Sequence, residues 1–149
     1  MDEIARPQAA VEVLFVDADG AVLIVDPTDS ATWIIPGGPV DRGEKPREAA
    51  VRVLAERLGL DLTPARLLVT DWAPVVREEH VAFVFDGGEL TDDELEGLEL
   101  RLGDIDSWAY IPPEELFVML EPRLTRRVTA ALDARLAGRT DYLENGTPA

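Results

Sequence analysis

A short loop of glycine and proline is the first segment of this sequence that is suited to binding a ligand. The run Pro36-Gly37-Gly38-Pro39 places four consecutive residues where regular structure is disfavoured and the path of the backbone is fixed. Because glycine has no Cβ, the two central residues let the backbone approach a bound group closely. The loop therefore predicts a place where main-chain atoms contact a ligand.

A helix with charged side chains follows this loop and supplies groups that can act on such a ligand. We predict the helix from Pro46 to Leu58, because proline suits the first helical turn and Gly59 suits a left-handed end. Its charged stripe has a spacing of four residues and consists of Glu48, Arg52 and Glu56. The stripe faces either a cleft or water. In the second case Arg52 forms surface ion pairs with Glu48 or Glu56.

The loop and the helix together resemble the sequence motif of the Nudix hydrolases. That motif is Gly, five residues, Glu, seven residues, then Arg-Glu-aliphatic-any-Glu-Glu-any-Gly-aliphatic. The chain matches seven of the nine specified positions at the correct spacing, and a Trp-x-x-Pro-Gly-Gly lead-in starts at Trp33. The matching residues are Gly38, Glu44, Arg52, Leu54, Glu56, Gly59 and Leu60. The resemblance covers about residues 10–137. It implies metal-assisted attack of water on a phosphorus of a nucleoside diphosphate that is linked to another group.

Two positions of the motif differ, and both are glutamates in the family pattern. Val53 and Arg57 stand there in this sequence. Positions 53, 56 and 57 are neighbours on a helix, so the family pattern converges three carboxylates that suit Mg²⁺ or Mn²⁺. In this chain only Glu56 remains, and Arg57 brings a positive charge to the place of a cation. At about 4 Å and an effective dielectric near 20, such like charges repel by about 4 kcal/mol. The substitutions argue against an ordinary multi-metal site.

The resemblance suggests roles for the remaining residues, and three interpretations of the function stay open. In the first, the chain is a hydrolase in which Arg52, Glu56 and Asp104 are catalytic. The carbonyl of Gly38 and Glu56 then hold Mg²⁺ or Mn²⁺, and Glu44 ties the loop to the helix. In the second, the pocket binds a nucleotide without catalysis, and Arg57 contacts phosphate in place of the metal, together with Gly37 and Gly38. A scaffold or dimerisation unit without a ligand is a third reading.

Other residues have both a functional and a structural interpretation. Four further acids could serve as a base beside Asp104 or could belong to a solvated acidic face; they are Glu78, Glu79, Glu99 and Asp106. Three arginines of the last helix, Arg123, Arg126 and Arg127, could bind an anion or form a charged outer face. Trp33 and Trp72 could stack on a base or belong to the core, and His80 could be catalytic or packed.

The order of the predicted elements indicates one α/β (α+β) domain, and the resemblance implies a Nudix-type α/β/α sandwich with a mixed sheet. Strands are predicted at 11–16, 21–25, 33–35, 67–72, 80–85 and 107–111. A second helix is predicted from Pro122 to Leu136, with an apolar stripe through Leu124, Val128, Ala131, Leu132 and Leu136. We expect a flexible arm at 1–9, the domain at 10–137 and a C-terminal tail at 138–149.

Composition restricts the partners of the domain. The 149 residues contain 14 Lys and Arg against 30 Asp and Glu, which gives a formal charge of -16. A surface this acidic repels nucleic acid, so we expect a small-molecule ligand. The absence of cysteine excludes thiolate catalysis and disulfides. No apolar run reaches the roughly 20 residues that span a bilayer, and the first residues are acidic where a signal peptide is basic. These features predict a cytoplasmic protein without membrane contact, and leave a homodimer open.

Overall fold

The computed structural model describes residues 4–74 and 79–149. The described elements, in chain order, are β1 (Gln8–Phe15), β2 (Val22–Pro27), β3 (Gly37–Pro39), α1 (Pro46–Leu58), β4 (Leu67–Trp72), β5 (His80–Gly88), α2 (Asp92–Glu96), β6 (Ile105–Ile111), a 3-10 turn (Pro113–Glu115), α3 (Leu116–Met119), α4 (Pro122–Ala137), β7 (Asp141–Glu144) and β8 (Thr147–Pro148). No helix in these two ranges combines the length and the apolar character needed to cross a membrane.

The strands form a mixed six-stranded sheet and a separate two-stranded sheet. The larger sheet has the order β3-β1-β5-β4-β7-β8, and β2 pairs with β6 in the smaller one. Strand β1 runs parallel to β5, and β4 runs parallel to β7. The remaining pairs are antiparallel. The mixed sheet that the sequence predicts is therefore present, and the glycine strand β3 lies at its edge beside β1.

Alternation along β1 directs its side chains to two cores on opposite faces of the sheet. Val11, Val13 and Phe15 pack in one cluster with the buried side of α1. Leu14 belongs to the other cluster, with the buried side of α4. Helix α1 thus covers one face of the sheet and α4 covers the other. The predicted α/β/α sandwich is confirmed.

The chain ends differ from the predicted boundaries. The expected tail at 138–149 contains β7 and β8, which extend the large sheet, and Leu143 is fully buried there. Strand β1 begins at Gln8, inside the expected arm. A four-residue strand with one apolar residue in the core has too little alternation to be recognised, and parallel pairing with the distant β4 leaves no local signal.

The loop before α1 also differs from prediction. Residues 33–35 form no strand, apart from a single bridge between Ile34 and Val25. Instead the glycines themselves form β3, against β1. A Cβ on Gly37 would lie 2.4 Å from the carbonyl oxygen of Val11, so only glycine permits this approach of two backbones. Glycine here makes a strand possible that its propensity disfavours.

Candidate ligand site

The start of α1 uses Glu48 for capping, which removes it from the charged stripe. Proline occupies the first turn, and the helix ends at Gly59 with a left-handed φ of 64°. The backbone N–H of Lys45 donates to Glu48 Oε1 at 2.8 Å, as in a capping box. A carboxylate in the first turn also interacts favourably with the helix dipole. Of the two partners predicted for Arg52, Glu48 is therefore engaged elsewhere, and Glu56 is the one that pairs with it.

Arg52 instead joins the loop to the helix. Its Nε and Nη2 donate to the two carboxylate oxygens of Glu44 at 2.8 and 3.0 Å, and Nη2 also donates to the Pro39 carbonyl at 2.9 Å. Nη1 donates to Glu56 Oε2 at 3.2 Å. The backbone N–H of Asp41 also donates to Glu44 Oε1 at 2.9 Å. The sharp connection between β3 and α1 is thus held by side chains from both of its ends.

These contacts shift both ionisation equilibria. The hydrogen bond from Arg52, followed by that from the Asp41 backbone, lowers the pKa of Glu44 below its usual value. The same hydrogen bond, received by Glu44, raises the pKa of Arg52. Glu44 is therefore an acceptor that stays ionised at neutral pH, and it is a poor general base because it is already paired.

Val53 and Arg57 occupy the side of α1 that faces β3. The Val53 side chain is 2% exposed and packs under the loop, since a Cβ on Gly38 would lie 2.9 Å from Val53 Cγ2. That same Cβ would lie 3.3 Å from Arg57 Cζ. Arg57 Nη1 donates to the Gly37 carbonyl at 2.8 Å. The structure therefore brings Gly37, Gly38 and Arg57 together, with the guanidinium against the glycine loop.

The donor set at this place does not fit a multi-metal centre. Mg²⁺ demands near-octahedral oxygen coordination, whereas Glu56 is the one carboxylate of the three helix positions. Its side chain is 46% exposed and is shared with Arg52. Within residues 4–74 and 79–149 no group of three or more His, Cys, Asp or Glu side chains could hold a metal ion. The cationic Arg57 stands where the family pattern has an oxygen ligand.

The acids at the start of β6 are paired with residues outside α1. Asp104 pairs with Arg101 of its own loop, at 3.2 Å, and its carbonyl accepts from the Thr28 N–H. Asp106 accepts from the Thr28 hydroxyl at 2.9 Å. The loop does reach the end of α1, because the Arg101 N–H donates to the Arg57 carbonyl. Its neighbour Glu99 packs against Gly59. Glu78 lies outside the described residues.

A buried ion network beside the glycine loop was missed by the sequence reasoning. The sequence predicts that Arg127 binds an anion or belongs to a charged outer face of α4, but its side chain is only 11% exposed. It donates to Asp71 Oδ2 at 2.7 Å and to both oxygens of Glu12 at 2.9 and 3.1 Å. Asp71 is fully buried and also accepts from the Gly146 N–H. The alternation along β4 indicates that Asp71 is buried, because it places Asp71 on the same face as the buried Val69.

The carboxylates of this network and burial have opposite effects on the pKa of Arg127. Burial alone would lower the pKa of Arg127, but the carboxylates of Glu12 and Asp71 raise it above its ordinary value. Glu12 also faces a cavity of about 240 Å³ between β1, β5 and the start of α4. On β1, Glu12 is the register partner of Gly37. The cavity therefore adjoins the glycine loop. Other side chains that line it are Ile34, His80, Glu121 and Arg123.

The fold and the site together define a domain in which a glycine strand, a charged helix and a mixed sheet surround one candidate ligand site. The family model described as NUDIX domain matches residues 6–132, and the chain belongs to that family. An RNA pyrophosphohydrolase of Cereibacter sphaeroides is 28% identical over 131 residues, which cover 75% of this chain and 80% of that protein.

Solved structures agree with the fold. The MutT protein from Methanosarcina mazei Go1 superposes with a TM-score of 0.71 at 21% identity, over 93% of this chain and all (100%) of the other. The NUDIX domain of Shewanella oneidensis NrtR, which was crystallised with ADP ribose, gives a TM-score of 0.69 at 17% identity, over 91% and 94% of the two chains.

Proposed function

We propose that this Nudix-family chain binds a nucleoside diphosphate derivative, with the diphosphate against the glycine loop and Arg57 supplying the positive charge. The observation that carries the proposal is the guanidinium of Arg57, which lies on the Gly37 carbonyl beside Gly38. In a chain of charge -16, a phosphate ligand needs a local cation. The donor set described above supports a guanidinium in that role rather than a metal ion.

The chemistry of the guanidinium fits this role. Arginine presents five N–H donors in a planar fork that matches two oxygens of a phosphate. One nitrogen of Arg57 is used by the Gly37 carbonyl, which fixes the orientation of the fork. The space that a Cβ would take is occupied by the β1 backbone at Gly37 and by Val53 and Arg57 at Gly38, so we place the phosphate against the guanidinium. We therefore place Gly37, Gly38 and Arg57 in the binding of phosphate, with Glu44 and Arg52 as the support of the loop.

The neighbouring cavity is the place we propose for the nucleoside. It adjoins the loop through Glu12, whose carboxylate can accept hydrogen bonds from N–H or hydroxyl groups. The superposable NrtR domain was crystallised with ADP ribose, which makes ADP-ribose the first probe. The C. sphaeroides relative is named for RNA, so a 5′-triphosphorylated oligonucleotide belongs in the same screen.

Hydrolysis of such a ligand is a second candidate, and membership of a family of hydrolases favours it. In that case Glu56 and the Gly38 carbonyl would hold Mg²⁺ or Mn²⁺, with Arg52 and Asp104 in catalytic roles. The exposed face of Glu56 leaves it open to an ion. Opposing this candidate are the pairing of Glu56 with Arg52 and the pairing of Asp104 with Arg101.

Calorimetric titration in EDTA separates the two functions. We expect ADP-ribose or another nucleoside diphosphate derivative from a panel to bind without metal, and Arg57→Gln to weaken that binding about 10- to 100-fold. The range follows from the roughly 1.5–3 kcal/mol of a hydrogen bond to a charged group. Arg42→Gln is the matched control, because Arg42 is exposed in the same connection. Binding that depends on Mg²⁺ or Mn²⁺ and ignores Arg57→Gln would refute the proposal.

Product analysis tests the second candidate directly. Each panel member is incubated with the protein and Mg²⁺ or Mn²⁺, and chromatography measures the nucleoside monophosphate, or, for the 5′-triphosphorylated oligonucleotide, the pyrophosphate and the 5′-monophosphorylated product. Release that is abolished by Glu56→Gln and retained by Glu48→Gln would establish hydrolysis at this site. Under the binding proposal we expect no release above the rate without protein.

A further inference from the structure

A second, larger groove lies on the opposite face of the sheet from α1. It has a volume of about 680 Å³ and runs between the turn that joins β1 to β2, the segment after β6 and the exposed side of α4. We call it the α4 groove, and the residues that matter here are Asp17, Glu114, Leu132, Asp133 and Leu136. None of the residues assigned above to phosphate binding lines it.

Leucines form the apolar part of the α4 groove. The sequence predicts Leu132 and Leu136 in the apolar stripe of α4; Leu132 packs against the edge of the core, and the prediction is wrong for Leu136. Leu124, Val128 and Ala131 fill the core, whereas Leu132 is half-buried and Leu136 is 84% exposed. The spacing of four places the two leucines on one exposed strip of the helix. An apolar strip within a concave surface is typical of an interaction site.

Acidic side chains surround this strip. Asp17, Glu114 and Asp133 line the α4 groove. Asp17 Oδ1 accepts the N–H groups of Asp19 and Ala21, each at 2.9 Å, so its carboxylate has a fixed position. The arginine that lines the groove, Arg135, pairs with Asp86 at 3.2 Å. The rim therefore carries negative charge that its own arginine does not neutralise.

We infer that the α4 groove binds a basic amphipathic helix of another protein. Its apolar side chains would pack on Leu132 and Leu136, and its Lys or Arg residues would face Asp17, Glu114 and Asp133. Charge complementarity selects this occupant. A second copy of the chain carries the same charge of -16, and anionic ligands or surfaces are repelled. Along α4 the groove extends from Thr129 to Leu136, roughly 10 Å at 1.5 Å per residue, which matches about two turns of a helix.

Fluorescence anisotropy with a designed peptide tests this inference. The probe is a labelled peptide of about 15 residues, long enough to form a helix, with leucines on one face and arginines on the other. A scrambled peptide of the same composition, without the apolar face, is the first control. We expect the amphipathic peptide to bind at least about tenfold more tightly than the scrambled one at ~0.1 M salt, and to keep part of its affinity at ~1 M salt, where exposed charges are screened.

Matched variants place the binding on the groove. Leu136→Asp should weaken the amphipathic peptide about tenfold or more, whereas Leu102→Asp, which adds the same charge at a leucine that is 93% exposed, should leave it unchanged. Asp133→Asn should weaken it more at low salt than the control Asp61→Asn does. Because the four side chains are exposed, circular dichroism should show each variant folded.

Three results would overturn the inference. Equal binding of the scrambled peptide would show long-range charge attraction alone. An equal effect of Leu136→Asp and Leu102→Asp would place the peptide elsewhere. A dimer that sedimentation detects and Leu136→Asp dissociates would assign the groove to a second copy of the chain.

Discussion

Replacing Val53 and Arg57 by glutamate should create a three-carboxylate metal site on α1. Both side chains lie within reach of the glycine loop, since Val53 Cγ2 and Arg57 Cζ would lie 2.9 and 3.3 Å from a Cβ on Gly38. Glu56 is on the same helix, three and one residues away. The variant Val53→Glu/Arg57→Glu therefore converges three carboxylates and two loop carbonyls, an oxygen donor set that suits Mn²⁺ or Mg²⁺.

Without metal, the double substitution should lower the free energy of unfolding, because position 53 is buried. Val53 is 2% exposed, so a carboxylate there is an uncompensated buried charge, which destabilises by about 3–5 kcal/mol. For a chain of this size, 1 kcal/mol corresponds to about 2–4 °C in Tm, so we expect a Tm lower by about 6–20 °C. Metal at about 100 times its Kd should return about 2.7 kcal/mol, or about 5–11 °C.

Thermal unfolding and calorimetry with MnCl₂ measure both effects. The control is Val53→Gln/Arg57→Gln, which has the same side-chain lengths without the carboxylates. We expect a Mn²⁺-dependent rise in Tm for the glutamate variant and none for the glutamine variant or the natural chain. If the glutamate and glutamine variants respond equally to Mn²⁺, the side chains at 53 and 57 do not converge on the loop, and the reasoning fails.

Three further predictions concern the supports of the site. Arg127→Met leaves the carboxylate of Asp71 buried without its cation, and should cost about 3–5 kcal/mol in urea unfolding; a loss below about 1 kcal/mol would contradict a role for the ion pair. Gly38→Ala should push Val53 aside and cost about 1–3 kcal/mol, and calorimetry should show weaker nucleotide binding, whereas unchanged stability and affinity would argue against a tight loop. Because the folded pKa of Glu44 lies below its ordinary value of 4.5, its stabilisation is present above that pH and is lost as pH falls through the folded pKa. The Tm difference between the natural chain and Glu44→Gln should therefore shrink as the pH is lowered below that value, and a difference independent of pH would refute this.

Local signals predicted what depends on neighbouring residues. Helix α1 begins at Pro46 and ends at Leu58 as predicted, because a proline in the first turn and a glycine with positive φ act within a few residues. The strand expected at 33–35 is absent, since apolar character does not say whether a neighbouring backbone is available for pairing. Strand β3 forms although its residues have low strand propensity, because only glycine allows the close approach to the Val11 backbone.

The candidate site was predictable to the extent that one helix carries it. Spacing on α1 correctly makes Arg52 and Glu56 neighbours. Helical spacing does not predict the hydrogen bonds from Arg52 to Glu44, which lies outside the helix. It also does not predict the network of Arg127 with Asp71 and Glu12, which are 56 and 115 positions away. The contacts of Arg127 follow from the packing of α4 on the sheet, and only the assembled core determines which arginine of that helix is turned inward.

The positions of Val53 and Arg57 explain why the two substitutions belong together. A glutamate kept at 53 beside Arg57 would pair with the guanidinium and compete with any phosphate for it. A glutamate kept at 57 above Val53 would leave the loop with acids and no cation in a chain that already carries a charge of -16. With valine at 53, the space under Gly38 is apolar and filled, and Arg57 has the Gly37 carbonyl as its partner. Under the proposed function, Val53 and Arg57 act as one unit, in which a direct phosphate contact replaces the glutamates of the family pattern.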